Sequence, residues 1–379
     1  MVSPGVVYRA PVRIALDATA LLGPVAGVGA FTAGALEALV ARDDTSMYGY
    51  ALSWRGRSLL REVLPVGVTS GWSVPAAHLL RLWAHSDLVP VEWIMDNDEP
   101  MDIVHGTNFV VPPARRASRV VTVHDLTCVR YPELCTPTSL RYPALIRRAL
   151  QTGAWVHTPS AFVAGEVCEA FGADPDRVRA VAHGQPPTVA APVAVPPRGL
   201  SRYVLAVGTV EPRKDLPVLV RAFDQLAGDR SDLRLVIAGS DGWGADALTA
   251  AIAEARHGDR ITRTGYVDDA TRRQLLEGAA VLAFPSRYEG FGLPPLEAMA
   301  AGVPVVATAA GAIPEVCGDA AVLTPVGDVD AFAAGLAAVL DSPERASALV
   351  VAGRVRSTSF TWERCAQGLV DLYRDAAGG

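Results

Sequence analysis

Short apolar runs that end in glycine or proline alternate with helix-like segments along most of this 379-residue chain. Val12-Arg13-Ile14-Ala15-Leu16 precedes a glycine-bearing loop and the helical pattern from Ala30 to Val40, and Ile103-Val104-His105 and Val120-Val121-Thr122-Val123 follow as further strands. The pattern restarts at Tyr203 to Gly208 and continues through Leu233 to Gly239, Ala280 to Phe284 and Val303 to Ala307. Strands that are apolar without alternation are covered on both faces, as in parallel sheets joined by crossover helices. The chain is also longer than one hydrophobic core usually spans, which predicts two α/β domains. From Gly184 to Gly199, five of sixteen residues are proline and no charge occurs before Arg198. Such a stretch holds neither a helix nor a central strand. The expected division is therefore 1–184, a linker over 185–199, and a second α/β domain from 200 onward.

Composition narrows the function. Half of the residues are hydrophobic, and the net charge of −6 offers no electrostatic footprint for nucleic acid. The five cysteines form no CxxC pair, so they read as buried thiols of a reducing compartment rather than as disulfides or a zinc site. Residues 1–13 carry no apolar signal region, and the long uncharged stretch between Glu297 and Glu315 is broken by Gly302, Pro304, Gly311 and Pro314. No membrane span is expected. Lys and Arg total 34, yet Lys214 is the lone lysine. The arginine bias reads as genomic, but the placement of the one ammonium in Glu211-Pro212-Arg213-Lys214-Asp215 calls for a local reason.

The most informative segment is Arg287-Tyr288-Glu289-Gly290-Phe291-Gly292-Leu293-Pro294-Pro295-Leu296-Glu297. A strand ending near Phe284 runs into a glycine-bearing turn, and a helix is expected to start at the proline pair. Pro294 and Pro295 donate no N–H, so the amides offered to an anion come from Phe291, Gly292 and Leu293. Glu289 is placed on the loop and Glu297 in the first helical turn. This segment resembles the paired-glutamate signature of the retaining glycosyltransferases of family 4, bacterial mannosyltransferase-type members included. The resemblance implies a GT-B fold, two Rossmann-like domains with parallel sheets facing across a cleft, and a final helix over 361–379 that packs back on the first domain.

It also implies roles. Glu289 would lie at the donor sugar and Glu297 at the nucleotide ribose, with Phe291, Gly292 and Leu293 around the sugar and diphosphate. Arg213 and Lys214 would clamp the leaving diphosphate; Thr209 stands where many members have arginine, so Arg213 takes that part. Gly27 and Gly29 form a G-x-G-x-x-T turn rather than a full dinucleotide fingerprint, and would face the donor. His124 would support the sugar, with Asp125 and His105 on the acceptor side and Trp72, Trp83 and Trp93 in core packing. The His183-Gly184 pair reads as structural, and Gly311 to Glu315 resembles a loop near the nucleotide.

The activity implied is transfer of a hexose, with mannose from GDP-mannose favoured, to a glycan, lipid-linked or small-molecule acceptor. No cofactor and no metal ion are expected, since no D-x-D pair sits at an expected strand end. The expected setting is cytoplasmic, with peripheral contact at the inner membrane surface. Two rivals are a non-catalytic sugar-nucleotide-binding protein and an NAD-dependent oxidoreductase, the latter disfavoured by the missing third glycine.

Overall fold

The computed structural model describes residues 10–23, 27–53, 56, 58–73, 76–93, 100–185 and 202–378, with no account of the side chains of 69–78. Most of the proline-rich stretch, and the side chain of Trp72, lie outside the described residues. The chain divides into two compact units, one running to Gly184 and resumed at Trp362, the other from Gln185 to Thr361.

The first unit is built on seven strands: β1 Val12–Asp17, β2 Thr45–Ala51, β3 Thr69–Ser73, β4 Ile103–Gly106, β5 Ser118–Thr122, β6 Trp155–Thr158 and β7 Val178–Ala180. They pair in the order β3-β2-β1-β4-β5-β6-β7, every pair parallel. The helix Val28–Val40 follows β1, and the helix Trp362–Gly378 lies on the same unit, with Trp362 filling the space beside Gly34. A Cβ at Gly34 would stand 2.1 Å from the indole, so the absence of a side chain there is what lets the final helix dock.

The second unit has β8 Arg202–Val207, β9 Leu233–Ala238, β10 Ile261–Gly265, β11 Val281–Phe284, β12 Val305–Thr308 and β13 Val322–Thr324, ordered β10-β9-β8-β11-β12-β13 and again parallel throughout. Both β11 and β12 are buried along their whole length, which explains why they carry no polar alternation. Two apolar clusters cover the faces of this sheet, one around Phe223, Leu235 and Phe332, the other around Leu205, Phe284 and Met299.

In each unit the strand order reverses beside the first strand, between β1 and β4 and between β8 and β11. Chains leaving these neighbours turn in opposite directions, which opens a crevice at their carboxyl ends where ligands of α/β sheets bind. Among the described residues no helix is long and apolar enough to cross a membrane. Cys128, Cys317 and Cys365 are buried, but Cys135 and Cys168 are half-buried, which corrects the expectation of uniformly buried thiols.

Candidate active site

The switch point of the second unit gathers the groups that the motif segment and the lone lysine suggested. After β8 the chain passes Gly208 and enters a single helical turn, Pro212–Lys214, before the helix Leu216–Ala227. Beyond β11 it passes Pro285 and Ser286 and turns at Tyr288 to Gly292. The two turns are tied together by their backbones, the Arg287 amide donating to the Arg213 carbonyl at 2.8 Å. Gly208, Lys214, Phe284 and Ser286 line a small cavity at these strand ends.

Glu289 is the centre of this arrangement and is 6 % exposed. Its Oε1 accepts from Lys214 Nζ at 2.7 Å and from Ser286 Oγ at 2.7 Å, while Arg213 Nη1 stands 2.6 Å from Oε2. Arg213 also donates to the Tyr288 carbonyl at 3.0 Å, and the Lys214 ammonium lies 4.6 Å from the centre of the Phe284 ring. Burial alone would raise the Glu289 carboxyl, but the two cations and the hydrogen bonds from Lys214 and Ser286 outweigh it and hold the group at about 2. Burial pushes the Lys214 ammonium down, and Glu289 compensates in part. The local reason for the lone lysine is now visible: a compact ammonium fits between a ring and a carboxylate where a planar fork would not. Arg213 and Lys214 are therefore half-buried partners of a buried carboxylate rather than members of a solvated turn.

Gly311 fixes the backbone of Glu289. The Ala312 amide donates to the Glu289 carbonyl at 2.9 Å, and a Cβ on Gly311 would come within 2.2 Å of that same oxygen. Gly311 also has a φ of +57°, which side-chain-bearing residues adopt reluctantly. Gly311→Ala should therefore displace Glu289 and cost on the order of 2 kcal/mol of stability through backbone strain and the clash. Chemical denaturation checks the prediction, and an unchanged midpoint would refute it.

Glu297 lies in the second turn of the helix Leu293–Ala301 rather than in its first, because the helix begins at Leu293, before the proline pair. Gly292, with a φ of +120°, sits at its start, so the amides of Gly292 and Leu293 head the helix and Pro294 and Pro295 add none. Phe291 is buried, with its ring 5.8 Å from that of Phe360 in an edge contact. The Glu297 carboxylate is held by Arg272, whose Nη1 is 2.8 Å from Oε1 and 2.7 Å from Oε2. Nothing in the motif announced Arg272, because the pairing depends on two helices packing side by side. Glu315 is exposed in the first turn of the short helix Ile313–Cys317.

In the first unit, Gly27 caps the helix Val28–Val40 with a φ of +50° and open space around it, whereas Gly29 is already inside the helix and buried, not in the loop as expected. His124 Nε2 bonds the Thr107 carbonyl at 2.7 Å, and Asp125 Oδ1 accepts from the Thr127 amide at 2.9 Å, which starts the next helical turn. His105, expected on the acceptor side, is a core residue of the first unit. It is fully buried, with Nδ1 2.7 Å from the Tyr373 hydroxyl and Nε2 2.8 Å from the Thr122 hydroxyl, so it ties the final helix to the sheet. His183 stacks on Phe31 with centroids 4.4 Å apart, and His157 lies 5.3 Å from the same ring. Trp83 is buried, but Trp93 is 62 % exposed under the Arg115 guanidinium, against the expected core role. Asp17, at the end of β1, escaped the sequence reading; burial raises its carboxyl to about 6 against the hydrogen bonds from Thr19.

These buried groups make the first unit acid-sensitive. Burial lowers His105, His124, His157 and His183, His157 to about 3, so their contribution to stability is complete above the unfolded value near 6.5 and is lost as pH falls below it. Each imidazole kept neutral costs about 1.4 kcal/mol per pH unit in that window. Asp17 has the opposite sign, since protonation from about 6 downward relieves its burial, and one carboxyl does not offset four imidazoles. Melting temperature should fall between pH 7 and pH 5; a flat profile would contradict the assignment.

Among the described residues no group of three or more metal-ligating side chains is found. Residues 194–356 match the family described as Glycosyl transferases group 1. The O-antigen chain mannosyltransferase B of Escherichia coli is 31 % identical over 282 residues, 72 % of this chain and 74 % of that protein. The MMP alpha-(1->4)-mannosyltransferase of Mycolicibacterium hassiacum is 34 % identical over 58 % of this chain and 53 % of its own length. Sucrose-phosphate synthase from Thermosynechococcus elongatus superposes with a TM-score of 0.75 at 21 % identity, covering 96 % of this chain and 98 % of that one. The Anabaena protein HepE, solved with UDP and glucose, gives 0.71 at 18 % identity, covering 95 % of this chain and 98 % of its own. The structural matches establish the GT-B fold, and with the first relative aligned over nearly three quarters of both chains, this protein belongs to the group 1 glycosyl transferases.

Proposed function

We propose that the protein is a retaining hexosyltransferase whose donor is a nucleoside diphosphate sugar, with GDP-mannose favoured. The observation that carries the reading is the cluster of the half-buried Arg213 and Lys214 on the buried Glu289 at the strand-order reversal of the second unit. A sugar nucleotide departs as a diphosphate whose negative charge grows in the transition state. Fixed cations lower that barrier because they are already oriented and partly desolvated. Arg213 and Lys214 meet the diphosphate, together with the amides of Gly292 and Leu293. Glu289 then turns to a donor-sugar hydroxyl, and Glu297 takes the ribose. In the first unit, His124 and Gly27 lie on the side of the strands' carboxyl ends, where the donor sugar and acceptor are handled. The acceptor is a glycan, a lipid-linked sugar or a small molecule. The two mannosyltransferase relatives support mannose as the sugar.

A thermal-shift series with GDP-, UDP- and TDP-sugars tests the donor. A ligand at about 100 times its dissociation constant adds roughly 2.7 kcal/mol, which a melt resolves. GDP-mannose should give the largest shift. A response to UDP-sugars alone would remove mannose from GDP-mannose, and no response to any nucleotide sugar would remove the transferase reading.

A further inference from the structure

Arg272 has no part in the chemistry described so far, yet it holds one of the two site carboxylates. It projects from the helix Asp269–Glu277, whose start is fixed by Asp268 Oδ1 accepting from the Thr271 amide at 2.8 Å. Leu275 and Leu276 bury the inner face of that helix. A single nitrogen, Nη1, straddles Glu297, 2.8 Å from one oxygen and 2.7 Å from the other, while Nη2 lies 3.6 Å from Asp269. The Glu297 side chain is 9 % exposed.

An ionised carboxylate offers about four acceptor positions, two on each oxygen. A cation astride the edge between the oxygens occupies the forward-facing position on each and leaves one outward-facing position on each. An outward-facing acceptor on a carboxylate whose plane is fixed suits a hydroxyl donor such as one of a ribose diol. Burial raises the Glu297 carboxyl and Arg272 opposes this, so loss of the guanidinium removes both the opposing charge and the contact that orients the group.

We propose that Arg272 is a positioning residue for nucleotide recognition: by holding one edge of the Glu297 carboxylate it fixes the plane of the group and leaves an outward acceptor position for a ribose hydroxyl. The proposal rests on the reading that Glu297 takes the ribose.

The test compares GDP and UDP with their 2′,3′-dideoxy forms by titration calorimetry on the full chain. The wild-type protein should prefer the ribose form of its nucleotide by about tenfold or more, as hydrogen bonds to a charged group are worth. Arg272→Met should bring binding of the ribose form down to the level of the dideoxy form, with dideoxy affinity unchanged, and Arg272→Lys should recover part of the preference. Equal losses for both forms, or a preference left intact, would overturn the proposal. Should the methionine variant fail to fold, Arg272→Lys decides: an undiminished preference with one point charge in place of the straddling nitrogen overturns it, and a reduced one supports it. A wild-type protein that binds the nucleotide with no ribose preference would instead remove the Glu297 reading on which the proposal stands.

Discussion

Glu289→Ala should lower turnover by at least about 100-fold, a magnitude typical of removing one preorganised group from an active site. It should also destabilise the donor-free protein. Two half-buried cations would lose the buried carboxylate that Arg213 and Lys214 now share at 2.6 and 2.7 Å. Breaking a buried ion pair by removing one partner costs about 3–5 kcal/mol, because the remaining charge stays desolvated and unpaired. The same logic predicts a rescue: a diphosphate entering the site restores the missing negative charge. The thermal shift produced by inorganic pyrophosphate should therefore be larger in Glu289→Ala than in the wild-type protein. A variant with equal pyrophosphate shifts would mean that Arg213 and Lys214 are not the phosphate-binding groups. The pH dependence has a definite sign. With Glu289 held at about 2, below its unfolded value near 4.3, its contribution is complete above roughly pH 4.5 and is lost as pH falls toward 2.

Lys214→Ala should cost about 10²- to 10³-fold in turnover, the range seen when one charge-stabilising donor is removed, while stability changes far less. The asymmetry with Glu289 has a physical origin. Removing the lysine relieves the desolvation of its own ammonium and leaves Glu289 with Arg213 on Oε2 and Ser286 on Oε1. No charge is stranded. Lys214→Arg should recover little, because the cavity bounded by Gly208, Phe284 and Ser286 suits a tapering chain and a point charge rather than a planar guanidinium. Steady-state kinetics beside a denaturation curve makes the comparison, and wild-type-like turnover in Lys214→Ala would reduce the lone lysine to an accident of composition.

The strands legible in the sequence were those buried on both faces. Val281 to Phe284 and Val305 to Ala307 are apolar at every position because helices cover both sides of the sheet. By contrast β2, with the sequence Thr-Ser-Met-Tyr-Gly-Tyr-Ala, carries polar and small residues, and its place is set by pairing with β1 rather than by its own pattern. Glu289, Arg213 and Lys214 were readable because short turns at strand ends hold them within a few residues of glycines and prolines, and Glu297 because it follows the proline pair on its helix. Arg272 and Asp17 were not. Arg272 reaches Glu297 across 25 positions of sequence, and Asp17 looks like any polar residue closing a strand. His105 and His124 occupy similar strand ends, yet one is sealed beneath Tyr373 of the final helix, 268 residues away, and the other bonds a nearby loop carbonyl.

By itself the sequence determined that this is a pair of parallel α/β units with a glycine-bearing turn at the end of a strand, because hydrophobic burial and turn chemistry are local properties of residue type. Only the tertiary structure decided which charges meet. Arg213, Lys214 and Ser286 converge on Glu289, and Arg272 on Glu297, because strand order and helix packing bring distant segments together. A buried charge is stable only where a partner is held beside it, and no spacing along a chain specifies that partner.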